Sequence, residues 1–105
     1  RVMRAQEFIR RHATDRITSA DVIAVMGCRR SYAYQRFRAC LGHTILEEIR
    51  SRRIARVKEL LRGGDHDLAS LPDYCGFSSL VDLCRVFKAA TGRTPTQWCE
   101  KLRRA

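Results

Sequence analysis

The sequence predicts an all-α fold of seven helices, arranged as two helix-turn-helix units that a long linker helix joins. Two observations predict it: apolar residues recur at helical spacing between capping residues and glycines, and one nine-residue pattern occurs twice. The predicted division is 1–43 for the first helix-turn-helix unit, 44–62 for the linker helix and 63–105 for the second unit. No segment shows a convincing strand pattern.

The first unit contains three predicted helices with recognisable ends. They are an apolar-striped helix from Val2 to His12, a helix over 20–26 between a Thr18–Asp21 capping box and Gly27, and a helix that Ser31 opens and Gly42 ends. A serine or threonine with an acidic residue three positions on satisfies free N–H groups at a helix start, and glycine favours the left-handed turn at its end.

Four further helices are predicted after residue 43. They are the linker helix between a Thr44–Glu47 capping box and Gly63-Gly64, a short helix after Asp67 that Gly76 ends, a helix from Ser79 with Asp82 to Gly92, and a last helix from Thr94-Pro95 through Trp98 to Leu102.

The repeat relates the two units at an offset of 50 residues. RFRACLGHT at 36–44 aligns with VFKAATGRT at 86–94, which matches Phe37 with Phe87, Gly42 with Gly92 and Thr44 with Thr94, besides two positions in between. Each copy is therefore a short helix, a turn with glycine, a second helix and a glycine stop. This is the pattern of a helix-turn-helix, whose second helix enters the major groove of DNA.

Composition excludes several classes of protein. The chain has 105 residues and a net charge of +10, with 18 Arg and only 3 Lys, while 45% of its residues are hydrophobic. It is too apolar for a disordered basic tail, too short for a large catalytic domain, and its longest apolar run is too short to span a membrane. Because 15 of the 21 basic residues lie in 1–62, a polyanionic partner is expected to contact mainly the first part of the chain.

Neither catalysis nor a bound cofactor is predicted. The five cysteines form no C-x-x-C pair and the histidines no metal-ligand spacing, so reduced thiols acting as small core residues in a cytoplasmic protein are the interpretation. Cys28 beside Arg29 and Arg30 leaves an enzymatic thiol open as an alternative. Because the chain begins with Arg-Val-Met, we expect it to be a piece of a longer protein.

The second helix of each unit supplies the candidate base-reading residues. Arginine pairs with guanine, glutamine with adenine, aspartate with cytosine, and apolar side chains meet the thymine methyl. The candidates are Arg30, Ser31, Tyr34, Gln35 and Arg38 in the first motif, and Ser79, Leu80, Val81, Asp82 and Arg85 in the second. The face of the second motif is nearly neutral, so we expect it to bind more weakly.

Further basic residues flank these helices as candidates for phosphate contacts. They are Arg29, Arg52, Arg53, Lys88 and Arg93. For the arginines of the linker helix, solvation beside Glu48 and Glu59 stays an alternative. The firmer role of that helix is to hold two recognition helices about 34 Å apart, the spacing of successive major grooves on one face of DNA.

Both copies, and especially GFSSLVDLCRVFKAATGRTPTQW, resemble the DNA-binding domain of the AraC/XylS family of transcription regulators. The resemblance covers residues 2–103, and VMRAQEFIRRHATDRI resembles the xylose-operon branch. It implies a seven-helix domain that binds double-stranded DNA, attached to an N-terminal sensor domain for an effector such as a sugar. An activator of this kind would also contact RNA polymerase.

Two positions depart from the family pattern. Pro72 stands where the family has a small residue, which predicts a helix that begins late or is kinked. Ala33 replaces a larger apolar residue, which predicts compensating packing by Tyr32 or Leu41.

The main alternative function is a non-specific nucleic-acid-binding module that acts on RNA or in the nucleoid. Such a module binds unrelated duplexes equally, with the same steep dependence on salt. A role at a membrane surface is disfavoured because the arginines are spread over several helices.

Overall fold

The computed structural model describes residues 1–64 and 66–104, and within them it contains seven α-helices, two short 3₁₀ helices and no strand. The all-α prediction is confirmed. In chain order the α-helices are α1 (Val2–His12), α2 (Ser19–Met26), α3 (Arg30–Leu41), α4 (Ile45–Gly63), α5 (Leu71–Cys75), α6 (Leu80–Thr91) and α7 (Pro95–Arg104). The 3₁₀ helices are Ala13–Asp15 after α1 and Leu68–Ser70 before α5.

Two predicted capping boxes are complete. Thr18 and Asp21 exchange side-chain and backbone hydrogen bonds at the start of α2, and Thr44 and Glu47 do the same at the start of α4. The predicted glycine stops are also present. Gly27, Gly42 and Gly92 follow α2, α3 and α6 in the left-handed conformation.

The starts of α2, α3 and α6 differ from the prediction. Helix α2 begins at Ser19 rather than at residue 20. Helix α3 begins at Arg30 rather than Ser31, because the Ala33 N–H already donates to the Arg29 carbonyl over 2.8 Å. At α6, the Ser79 hydroxyl accepts the Asp82 N–H, but the Asp82 carboxylate accepts from Arg85 instead of completing a box. Thus α3 starts without a side-chain cap and α6 starts with one.

Pro72 delays α5, as predicted. The chain after Asp67 forms the 3₁₀ helix first, and only five residues from Leu71 are α-helical. Proline near a helix start loses no hydrogen bond, because the first N–H groups have no partner within the helix. Its carbonyl accepts the N–H groups of Gly76 and Phe77, each at 3.0 Å, which closes the short helix.

The buried apolar side chains form two clusters, one in each unit. The first joins α1, α2 and α3 around Ile9 and Phe37, and the second joins α5, α6 and the turn between them around Leu71 and Phe87. Helix α4 contributes to both: its N-terminal half supplies Ile45 and Ile49, and its C-terminal half supplies Ile54, Val57 and Leu60. The linker helix α4 is therefore part of both cores.

Smaller packing expectations are confirmed only in part. Leu41 packs against the first cluster, to which Ala33 belongs, whereas Tyr32 is exposed and does not compensate. Cys75 is buried, and burial raises the pKa of its thiol to about 11. Cys40 is exposed on α3, so the expectation that every cysteine is a core residue is wrong.

The described residues span 46 × 23 × 20 Å. No helix among residues 1–64 and 66–104 has the length and hydropathy needed to cross a membrane.

Candidate nucleic-acid interface

One side of α3 presents polar side chains to solvent while the other side is buried. Arg30, Gln35 and Arg38 are exposed and make no hydrogen bond or ion pair with any described residue, and Ser31 is exposed beside them. Ala33 and Phe37 of the same helix are fully buried. The structure therefore brings four of the five predicted residues of this motif to one accessible face with their donors and acceptors free.

Tyr34, the fifth, has a different environment. Its ring is half-buried against the first core, and the Arg30 guanidinium lies over it at 5.7 Å from the ring centroid. A guanidinium over an aromatic face is attracted by the ring electrons. Tyr34 thus supports the position of Arg30, and part of its side chain stays exposed.

The start of α3 is open to an anion. Arg29 occupies the N-cap position with no side-chain hydrogen bond to the helix, and no acidic residue lies in the first turn. Uncapped N–H groups carry the positive end of the helix dipole. Together with the exposed Arg29 and Arg30 side chains, they make this end strongly positive.

The corresponding surface of α6 is less charged. Val81 is 79% exposed and Leu80 is half-buried, so this surface begins with apolar groups. Arg85 donates to the Asp82 carboxylate over 2.6 Å, which partly neutralises both charges. The arrangement matches the nearly neutral face that the sequence predicts for the second motif.

The candidate phosphate contacts fall into two groups. Arg29 and Lys88 are exposed and make no ion pair with a described residue, and Arg93 is half-buried after α6. Arg52 instead donates to Glu48 over 3.2 Å, and the nearly buried Glu48 carboxylate also contacts His43 at 2.5 Å. The pairing with Glu48 that the sequence left open for this arginine is present.

Arg53 does not fit the role of a phosphate contact. Its Nε donates to the Ala13 carbonyl over 2.7 Å and one terminal nitrogen donates to the Ile17 carbonyl over 2.8 Å. Burial lowers the pKa of its guanidinium, an effect that the nearby Asp82 carboxylate opposes and Arg50 reinforces. Since two of its three nitrogens are bound to the protein backbone, Arg53 holds the first unit against α4 and is not among the proposed phosphate contacts.

A contact between the two units involves Arg53 and was missed from sequence. Gly76, which ends α5, lies against Ala13 and Thr14, and Arg16 donates to Asp73 over 2.6 Å. We call this contact, formed by Arg53, Gly76, residues 13–17 and Asp73, the inter-unit junction. The spacing Ile49–Arg53–Val57 places an arginine on the buried stripe of α4 and was the available signal.

No group of three or more histidine, cysteine, aspartate or glutamate side chains converges to hold a metal ion within the described part of the chain. The structure has an exposed cationic helix on an apolar core, followed by a second helix-turn-helix with the same order of a short helix, a turn and a longer helix. This arrangement defines a two-unit helix-turn-helix domain.

Comparison with known proteins agrees with this assignment of the fold. Residues 22–101 match the family described as "Helix-turn-helix domain", and the chain belongs to this AraC-type family of DNA-binding transcription regulators. The resemblance seen in the sequence is confirmed, and family and fold are those of transcription regulators rather than enzymes.

Three relatives illustrate the match. The xylose operon regulatory protein of Haemophilus influenzae is 31% identical over 97 residues, which cover 92% of this chain and 25% of that protein. The structure of a xylose-binding transcription activator has a TM-score of 0.73 at 28% identity and covers 91% of this chain and 25% of that one. The DNA-binding domain of AdpA, solved with a target DNA, has a TM-score of 0.90 at 22% identity over 97% of this chain and 92% of that one. The chain thus spans about a quarter of the length of the xylose regulators it matches.

Proposed function

We propose that this chain is the sequence-specific operator-binding domain of a transcription activator for a sugar-utilisation operon of the xylose type. The observation that carries the proposal is the α3 face, where Arg30, Gln35 and Arg38 are exposed and unpaired among the described residues. Similarity to xylose operon regulators over 92% of the chain supports the operon class. The proposed division stays 1–43, 44–62 and 63–105.

In this function α3 and α6 enter successive major grooves of double-stranded DNA. Arg30 and Arg38 pair with guanine edges and Gln35 with adenine, while Ser31 and Tyr34 contact the same groove. In the second motif, Val81 and Leu80 meet thymine methyl groups, and Ser79, Asp82 and Arg85 supply polar contacts. Arg29, Arg52, Lys88 and Arg93 contact phosphates, which fixes register without reading sequence.

The partners beyond DNA follow from the relatives. In the proposed full-length protein, an N-terminal sensor domain binds a small effector such as a sugar, and the activator contacts RNA polymerase in the cytoplasm. The support is that the chain covers only a quarter of the xylose operon regulatory proteins and of a xylose-binding activator.

Selection from a randomised duplex pool tests sequence specificity directly. The winning duplex is then titrated against a scrambled duplex at about 150 mM salt, where we expect a preference of about 10³-fold or more. Two enriched blocks about 10 base pairs apart support reading by both motifs. Tight binding without enrichment contradicts the proposal and favours the non-specific nucleic-acid-binding module. The net charge of +10 is also compatible with that function.

Arg38→Ala has a matched control on the same helix. Arg36 is also exposed, but it lies beside Val2 and Met3 of α1, away from the proposed reading face. Both substitutions remove one positive charge. Loss of preference for the selected duplex in Arg38→Ala but not in Arg36→Ala is the expected result, and equal losses would contradict the assigned face.

A further inference from the structure

The two apolar cores are separate along α4. Ile49 is the last residue of α4 in the first cluster and Ile54 is the first in the second. Arg53 lies between them on the buried stripe of α4, in the short segment that contributes no buried apolar side chain to either core. A slight bend of α4 at this place would change the angle between the units without opening either core.

Polar contacts close this place. The Ala13 carbonyl accepts from Arg53, and the same oxygen would lie only 2.6 Å from a Cβ built at Gly76. The Thr14 Cα would be 2.9 Å and the Arg53 Nε 3.0 Å from that Cβ. The backbone of the second motif's turn therefore sits directly on the backbone of the first unit, with the guanidinium at their edge.

Gly27, the equivalent glycine of the first motif, shows that this closeness is not a requirement of the helix-turn-helix turn. Nothing lies within 4 Å of a Cβ built there, although both glycines adopt positive φ. The Arg16–Asp73 ion pair adds an exposed link at the same side, and Arg16 itself has a left-handed φ of 61°. Residues 13–17 thus make three separate contacts here: with Arg53 of α4, with Gly76 in the turn of the second motif, and with Asp73 of α5.

We infer that Arg53 and Gly76 are positioning residues, which fix the angle and distance between α3 and α6 and so restrict this domain to one spacing of its two half-sites. The inference rests on the proposed function, because spacing matters only if both motifs read sequence. The two directional hydrogen bonds of Arg53 fix orientation, whereas apolar contacts alone allow sliding. Neither residue contacts DNA in this proposal.

The test without DNA is the relative orientation of the units, measured by residual dipolar couplings of the backbone amides. In the unsubstituted domain, one alignment tensor is expected to fit α1–α3 and α5–α7 together. In Arg53→Gln, two tensors of different magnitude are expected, because the units move independently. Arg56→Gln is the control: it removes the same charge from the next turn of α4, where Arg56 pairs with Glu59 at the surface.

The test with DNA is a spacing series on the selected duplex. Inserting 1 base pair moves one half-site by about 3.4 Å and rotates it by about 35° around the DNA axis. We expect the unsubstituted domain and Arg56→Gln to lose at least about tenfold in affinity, and Arg53→Gln to lose less than about threefold, because a mobile second unit can follow.

The outcomes separate the two proposals. A single tensor for folded Arg53→Gln, or a spacing profile equal to that of the unsubstituted domain, overturns the inference. If selection enriches no site, the proposed function fails, and the dipolar couplings still decide whether the junction holds the units together. Should circular dichroism show that Arg53→Gln does not fold, Arg53→Lys replaces it: lysine keeps the charge but lacks the planar fork that reaches both carbonyls. Unchanged couplings in Arg53→Lys would then overturn the inference.

Discussion

Gly27 and Gly76 occupy the same place in two copies of one motif, yet their surroundings are opposite. A Cβ at Gly27 would meet open space, whereas a Cβ at Gly76 would meet the backbone of the other unit. The first turn only reverses the chain, while the second also forms a joint. Repetition of a sequence pattern thus conserves the local conformation and leaves each copy free to acquire a separate structural task.

The recognition helices differ in the same sense. Helix α3 has no side-chain cap and presents arginines without partners among the described residues, while α6 is capped by Ser79 and pairs Arg85 with Asp82. An arginine without an ion pair can turn to a base edge without breaking one. The comparison leads us to expect that the first unit contributes more to base reading and the second more to anchoring.

The largest expected effect tests this difference in reading. Gln35→Ala with Arg38→Ala is expected to weaken binding to the selected duplex by about 2–6 kcal/mol, because each residue can make a bidentate pair with a base. Arg85→Ala should cost less, since its ion pair with Asp82 must be broken before it reaches DNA. Fluorescence anisotropy at one salt concentration measures both. A greater loss in Arg85→Ala than in the double variant would reverse the ranking of the units.

The second prediction compares the two glycines. Gly76→Ala is expected to destabilise the fold by about 2–5 kcal/mol, because strain of the left-handed conformation adds to overlap with the Ala13 carbonyl. Gly27→Ala carries only the conformational strain of about 1–2 kcal/mol. Urea unfolding followed by circular dichroism gives both values. Equal destabilisation would mean that the junction can open to accept a methyl group.

The smallest effect concerns two capping boxes related by the repeat. Thr44 pairs with Glu47 at the start of α4, and Thr94 pairs with Gln97 at the start of α7. The Thr44 backbone N–H, with its hydroxyl, holds the pKa of Glu47 below the ordinary value. The charged box therefore stabilises the fold above the pKa of Glu47 in the unfolded chain, and this contribution is lost as pH falls through the lowered folded value.

Glu47→Gln should remove that part of the pH dependence, and Gln97→Glu should add a matching part at α7. The measurement is the urea midpoint from about pH 6 down to about pH 3, a range that covers the titration of a glutamate. An unchanged pH profile in both variants would show that the boxes do not contribute to stability through charge.

Most of the fold could be predicted because its signals are local. Thr18 with Asp21 and Thr44 with Glu47 lie three residues apart, and a glycine stop is read from one position. The start of α3 differs from the prediction by one residue. Arg29 at the N-cap forms no side-chain capping hydrogen bond, so the sequence contains no capping residue that would mark this start. The exposed face of α3 could likewise be predicted, since helical spacing decides which residues lie away from Phe37.

The inter-unit junction could not be derived in the same way. Arg53 and Ala13 are 40 residues apart, and Arg16 and Asp73 are 57 apart, so only the packing of both units brings them together. A count of positive charges assigns every arginine of α4 to the same class. Arg53 differs from the neighbouring arginines because it lies on the buried stripe of α4. The periodicity of the apolar residues indicates this position, whereas the charge does not.

The elongated shape, 46 Å in its longest dimension, sets the footprint of the domain. At 3.4 Å per base pair, that length covers about 14 base pairs, little more than one turn of the double helix. With a width near 20 Å, a single copy occupies one side of the duplex over this stretch. The opposite side remains accessible, so a second protein can share the same base pairs without displacing the first.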